Sequence, residues 1–206
     1  QDFQAATIYV EPDWSAASYW YSMVALAEKG SLVLPGLKPS SLQGDMAIVD
    51  IMKHFGVESC FKEEGLHLSK QDSRSTKTTF DFKSCPDLAQ TVIVVAAALK
   101  RNISFTGLET LKIKETDRIA ALQQEIRKFG TELRAEGQTY HLHTEGVFDL
   151  ESITIDTYED HRMAMAFAPL ALRFKEVIIQ EPMVVKKSYP AFWEHLQSQG
   201  FQVSEY

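Results

Sequence analysis

The sequence predicts an α/β domain made of three similar strand–helix–strand–helix–strand–strand units, the third cut short. Three observations carry this. Helices fed by apolar strand-like runs open at Asp13, Asp87 and Asp160, 74 and 73 residues apart. Turn residues Gly36, Gly107 and Pro182 follow the next strands at spacings of 71 and 75. Gly56, Gly130 and Gly200 end second helices at spacings of 74 and 70. Landmarks of different kinds sharing one period mark a repeated supersecondary unit.

The first unit starts with the strand-like "ATIYVEP" and a helix at "EPDWSAASYW". Strand "SLVLPG", a helix ending at Gly56, and the strand pair "VESCFKEE" with "LHLSK" complete it. The second unit repeats the order with helix "CPDLAQTVIV", strand "NISFTG", a helix ending at Gly130, and the pair "TELRAEG" with "TYHLHTE". Its second helix is the best defined. Ile119, Leu122, Ile126 and Phe129 recur at helical spacing after Glu115, and Gly130 stands where a C-cap belongs. The third unit has helix "YEDHRMAMAF", strand "EVIIQEP", a helix ending at Gly200, and "FQVSEY" alone. The expected organisation is one domain over 1–206, with repeats at about 5–72, 76–146 and 150–206.

At 206 residues the chain can bury a sizeable core, and 45% hydrophobic with 24% charged residues is ordinary globular composition. A formal charge of −7 argues against nucleic-acid binding by bulk attraction. No apolar run approaches a membrane span, so neither nucleic acid nor membrane is an expected partner. Two cysteines make no disulfide framework, which fits a reducing compartment. The chain begins with Gln1, either a processed start or a piece of a longer protein.

Charges at three helix starts carry the chemistry. Lys114, Glu115 and Arg118 open the second helix of unit two, and Asp160, His161 and Arg162 open the first helix of unit three. Lys186 and Lys187 precede a helix with Pro190 in its early turn. Cations oppose the positive end of a helix, so their recurrence there points to a bound anion. Helix N–H groups with Lys and Arg make a site for phosphate or carboxylate. The alternative is local: Lys114 solvated, and Arg118 paired with Asp117 or Glu115.

Asp87 and Glu115 also have two readings. Asp87 is placed to cap a helix, and Glu115 to be a first-turn acid favoured by the dipole. Among Arg and Lys, two carboxylates could instead divide general base and general acid work, with environment setting their pKa values apart. His141 and His143 share a strand face without a third ligand, so an exposed strand is expected rather than a metal site. Cys85 is read as a buried small residue and "GVFDLESI" as a loop. No P-loop or dinucleotide fingerprint occurs.

With those residues laid out, the chain resembles the C-terminal half of the EPSP synthase family. "KIKETDRIAAL" and "YEDHRMAMAF" resemble its two most specific signatures, and "EPDWSAASYW", "SLQGD" and "KKSYPAFWEHL" resemble further stretches in the expected order. The resemblance implies an inverse α/β barrel of three βαβαββ repeats and a missing, similar N-terminal domain. It implies a transferase of aromatic amino acid (chorismate) biosynthesis, in cytoplasm or plastid. The enolpyruvyl group of phosphoenolpyruvate would pass to the 5-hydroxyl of shikimate 3-phosphate, without cofactor or metal.

By the same resemblance, Asp87 would accept the 5-hydroxyl proton and touch shikimate 3-phosphate, which Lys114 would also bind. Glu115 would protonate the methylene carbon of phosphoenolpyruvate. Arg118, Arg162 and Lys187 would hold its carboxylate and phosphate, with His161 in support. Thr110 stands where many relatives have Asn. The related enolpyruvyltransferase acting on UDP-N-acetylglucosamine lacks the combination of KETDR and DHRMAM. The isolated chain is expected to bind ligands without turnover.

Overall fold

The computed structural model describes residues 7, 10–144 and 150–204. The helices are α1 (Trp14–Leu26), α2 (Ile48–Lys53), α3 (Ala89–Ala98), α4 (Arg118–Arg127), α5 (His161–Phe167) and α6 (Phe192–Ser198). The strands are β1 (Ser31–Pro35), β2 (Val57–Lys62), β3 (Gly65–Lys70), β4 (Thr79–Asp81), β5 (Ser104–Thr106), β6 (Thr131–Glu136), β7 (Thr139–Thr144), β8 (Ser152–Ile155) and β9 (Glu176–Ile179).

The middle unit shows the complete pattern, a sheet ordered β4-β5-β7-β6. β4 and β5 are parallel because a helix crosses between them, and β6 and β7 form a hairpin. The first unit shows the hairpin part, β1-β3-β2, and the third shows the crossover part, β8-β9. The expected strand at "ATIYVEP" falls mostly outside the described residues, as does much of the "GVFDLESI" loop. In "FQVSEY", 201–204 pair in no sheet, and 205–206 lie outside the description.

The three first helices, α1, α3 and α5, pack on one another, and each unit's sheet lies outside them. Their sequences dictate this. All ten residues of α3, "AQTVIVVAAA", are buried, and so are eleven of the thirteen in α1. A helix apolar on every side must be enclosed. The second helices are amphipathic covers: α4 buries Ile119, Ala121, Leu122 and Ile126 and exposes its other face. Helices inside and sheets outside is the inverse α/β barrel that the family resemblance implies.

The landmarks have backbone reasons. Gly56, Gly130 and Gly200 have φ of 80°, 79° and 93°, the left-handed geometry that ends a helix. Gly107 has φ of 72°, and a Cβ there would run into the Lys83 backbone. In unit three the same left-handed turn is made by Glu181, at φ 48°, ahead of Pro182.

The aspartates diverge. Asp13 caps α1 by accepting from Ser15 N, and Asp160 caps α5 by accepting from Arg162 N. Asp87 lies inside a 3-10 turn, Pro86–Leu88, and caps nothing. The capping reading of Asp87 is therefore wrong, and its carboxylate is free for other partners.

Two helix starts also differ from expectation. Asp117, accepting from Ile119 N and Ala120 N, is the cap of α4, so Lys114 and Glu115 precede the helix. Lys186 and Lys187 end a 3-10 segment, Pro182–Lys187, and Pro190 lies before α6 rather than in its first turn. Cys85 is buried, as read. His141 and His143 are half-buried on β7 rather than exposed, and His141 Nδ1 lies 2.9 Å from Ser104 Oγ. No group that could hold a metal ion occurs among the described residues.

Candidate active site

Asp87 is where the separate helix starts converge. Arg162 Nη2 donates to its Oδ2 at 2.9 Å, and Arg118 Nη1 to its Oδ1 at 3.3 Å. Lys114 Nζ stands 3.4 Å from the same Oδ1. Three cations from two units thus meet one carboxylate of the helix start between them. Burial pushes the Asp87 carboxyl up, but Arg162, Lys114 and Arg118 outweigh it and hold it below its ordinary value.

Arg118 is the hub. Its side chain is 1% exposed, and every guanidinium nitrogen faces a carboxylate. Nε donates to Asp160 Oδ2 at 2.7 Å, and Nη2 to Glu115 Oε2 at 2.6 Å. Asp160 is fully buried, so the pair has little solvent screening. The local reading of Arg118 was half right: it pairs with Glu115, while Asp117 is occupied as a cap. Burial raises the Glu115 carboxyl, but a backbone hydrogen bond together with the Arg118 and Arg162 charges brings it below its usual range.

Arg162 reaches Asp87 on one side and the Tyr19 hydroxyl on the other, at 3.4 Å. Burial pushes that phenol up to about 12, with Arg162 opposing. His161 is 7% exposed and its Nδ1 has no hydrogen-bond partner. Burial lowers its pKa, against the pull of Asp160, so the imidazole is a neutral group. An unpaired buried ring nitrogen beside Arg162 is a polar atom waiting for a ligand or water.

Lys187 stands apart from Asp87. Its Nζ donates to the Glu159 carbonyl at 2.7 Å, beside a groove lined by Glu159, Glu181, Met183, Val184 and itself. Lys186 is exposed, and Thr110 is exposed on the 3-10 turn Glu109–Ile113 ahead of Lys114. The segment feeding α5 is strained: Tyr158 and Glu159 have φ of 53° and 58°. Non-glycine residues in that region cost about 1–3 kcal/mol each and persist only where surroundings hold them.

Two contributors escaped the sequence reading. Tyr19 lies on α1 and sends its hydroxyl to Arg162, which no local pattern signals. Asp45, in "SLQGD", accepts from Ser15 Oγ and is close enough to Asp87 and Arg162 to feel both charges. Burial raises its carboxyl, and the Asp87 charge adds to that. Asp45 lies 72 residues before Asp117, so the repeat itself could have exposed it. In sum, Lys114, Arg118 and Arg162 face Asp87, Glu115 and Asp160, with Asp45 near enough to Arg162 to feel its charge. That is an ion network, nearly balanced within itself, with its open side at half-exposed Asp87 and Glu115.

Comparison with known proteins bears on this network. Residues 1–196 match the family described as EPSP synthase (3-phosphoshikimate 1-carboxyvinyltransferase). The chain is 43% identical over 204 residues to the 3-phosphoshikimate 1-carboxyvinyltransferase of Bacteroides fragilis, covering 98% of this chain and 50% of that protein. It is 35% identical over 196 residues to the protein of the same name from Methanospirillum hungatei, covering 95% and 45%. An EPSP synthase structure from Acinetobacter baumannii superposes with TM-score 0.75 at 21% identity, over 95% of this chain and 48% of that one. The enolpyruvyl transferase NikO from Streptomyces tendae gives 0.60 at 15% identity, over 94% and 44%. The chain spans about half the length of the curated relatives it matches.

Proposed function

Since the chain belongs to the EPSP synthase family, we propose that its 206 residues form one domain, the C-terminal one of a two-domain enolpyruvyl transferase. The proposed reaction joins the 5-hydroxyl oxygen of shikimate 3-phosphate to C2 of phosphoenolpyruvate. It proceeds by addition and then elimination of phosphate, giving 5-enolpyruvylshikimate 3-phosphate. The observation that carries this is Asp87, a carboxylate gripped by Lys114, Arg118 and Arg162 at one open site.

In this reading Asp87 accepts the hydroxyl proton and Lys114 binds shikimate 3-phosphate. Glu115 delivers a proton to the methylene carbon of phosphoenolpyruvate. Arg162, Arg118 and Lys187 face its carboxylate and phosphate, and His161 lines the same region. Ligand-free, both carboxylates are ionised by their cationic neighbours, which suits a base and not an acid. Anionic substrates neutralise those cations, so both pKa values rise on binding and Glu115 gains the proton it must give.

The charge balance favours a second, compatible reading: alone, this chain is a ligand-binding half. Lys114, Arg118 and Arg162, already matched by Asp87, Glu115 and Asp160, cannot neutralise two phosphate esters even with Lys187, so further cations must come from the rest of the protein. We assign the whole enzyme to the cytoplasm and to small-molecule substrates. Calorimetric titration with phosphoenolpyruvate and shikimate 3-phosphate, separately and together, tests the assignment. Weak binding that an Arg162→Gln variant loses supports it, and no binding of either ligand by a folded chain and by the complete polypeptide overturns it.

A further inference from the structure

We propose that Tyr158 is a positioning residue: its hydroxyl, gripped by the buried Glu125 carboxylate, locks the turn that aims Asp160 at Arg118 and Arg162 at Asp87. The consequence for catalysis rests on the reading of Arg118 and Arg162 as phosphoenolpyruvate-binding cations.

The turn needs a lock. Tyr158 and Glu159 are consecutive non-glycine residues in the left-handed region, immediately before the Asp160 cap. Neither is the glycine or asparagine that adopts this conformation readily. Relaxation of either residue would swing Asp160 and the start of α5 away from Arg118. The turn's own backbone offers Asp160 N to the Thr157 carbonyl at 2.9 Å, one bond against two strained residues.

The remaining restraint comes from α4. Glu125 is fully buried, and its two oxygens grip the approaching loop on both sides of Thr157. Oε2 accepts from Asp156 N at 3.1 Å, and Oε1 accepts from the Tyr158 hydroxyl at 2.7 Å. Gln124 Oε1 is 2.8 Å from the same hydroxyl, but the ionised acceptor makes the stronger bond. Lys128 closes the grip from Glu125 Oε2 to the Thr154 carbonyl and Asp156 Oδ2. Glu125 lies seven residues after Arg118, two turns along the same helix face. One face of α4 therefore clamps residues 154–160 at both ends: Glu125 and Lys128 at the entry, Arg118 on Asp160 at the exit.

Lys128 already balances the Glu125 charge, so the phenol is an added restraint and not a counter-charge. Lys187 Nζ holds the Glu159 carbonyl from the opposite element. A lysine that binds substrate cannot be the lock's permanent half, whereas the hydrogen bonds of Tyr158 and Glu125 go to Gln124, Asp156, Lys128 and each other.

Tyr158→Phe keeps the ring and removes one hydroxyl; Glu125→Gln keeps the side-chain shape. In the 206-residue chain, Tyr158→Phe should speed amide exchange at Asp160 and Arg162 by about tenfold, the loss of one hydrogen bond to a carboxylate read as local opening. Amides of α3 should be unchanged. In the complete polypeptide, KM for phosphoenolpyruvate should rise by about tenfold while KM for shikimate 3-phosphate stays put. In the Glu125→Gln background, Tyr158→Phe should add less than it does alone, because the amide oxygen left to accept from the phenol is no longer ionised. Unchanged exchange at Asp160 and Arg162 in Tyr158→Phe overturns the lock. So does a rise in both KM values together with a fall in Tm, which is general loosening. A wild-type complete polypeptide with no turnover refutes the catalytic reading, while the exchange result still decides the lock.

Discussion

Arg118 Nε lies 2.7 Å from Asp160 Oδ2, both side chains shut from solvent, tying the start of α4 to the start of α5 across 42 residues of sequence. This pair is where folding and the proposed chemistry share atoms. The same guanidinium that fastens two repeat units also faces Asp87 and Glu115 on the open side.

Arg118 and Arg162 should therefore separate under mutation. Arg118→Ala leaves Asp160 charged and buried without its partner, which costs about 3–5 kcal/mol and threatens folding. Arg118→Lys should fare little better, because an ammonium cannot serve three carboxylates from one fork. Arg162→Gln, at the half-exposed Asp87, should cost about 1 kcal/mol or less in stability while abolishing phosphoenolpyruvate binding. Urea melts and calorimetry on the variants measure the split.

Asp87→Asn should act in opposite directions on binding and turnover. Removing the carboxylate frees Lys114, Arg118 and Arg162 for a substrate anion, so phosphoenolpyruvate should bind the chain roughly fivefold more tightly. In the complete polypeptide the same change removes the proposed proton acceptor, and kcat should fall by about 10²–10⁴-fold. Titration of the chain and steady-state rates of the whole enzyme check both.

Acid should loosen the fold in two stages. His161 has a pKa lowered by burial, so between its folded value and the ordinary 6.5 the unfolded chain binds more protons than the native one. Stability therefore falls as pH drops below about 6.5. Asp87, a carboxyl held below its usual 3.8, contributes stability present above that value and lost as pH falls through its folded pKa. Tm against pH should show both slopes, with His161→Gln flattening the first and Asp87→Asn the second.

The central helices should be intolerant of lost volume. Ile93 on α3 has no exposed surface, so Ile93→Ala should cost about 2–5 kcal/mol. Val33, on the outer β1 strand and 44% exposed, should lose under 0.5 kcal/mol as Val33→Thr. Denaturant midpoints of the two variants test whether the core lies between the helices.

Much of the fold was legible because its signals are local and repeated. The "AQTVIVVAAA" helix is apolar but for Gln90 and Thr91 in its first turn, and glycines ending second helices announce the period. The site was legible as a set of residue types at helix starts, and the KETDR and DHRMAM stretches carried the family. Local sequence could not choose between the two readings of Asp87, because a Pro-Asp before an apolar helix has the same local appearance as a cap or as a free carboxylate. Tyr19 was missed because it sits in mid-helix among aromatics, and only its hydroxyl distinguishes it from packing. Where Lys187 rests without substrate, with its Nζ on the Glu159 carbonyl, no local pattern could say.

By itself the sequence determined the order of most strands and helices, the repeat and the residue types at three charged starts. Periodicity, capping residues and left-handed glycines are properties of neighbouring residues, so no tertiary contact is needed to read them. Tertiary structure alone decided which carboxylate each cation meets. Arg118 had Asp117 and Glu115 nearby in sequence, yet its buried partner is Asp160, because packing α4 beside α5 excludes water and makes the nearest opposite charge compulsory. Which aspartates cap and which one stands open among three cations follows from that packing.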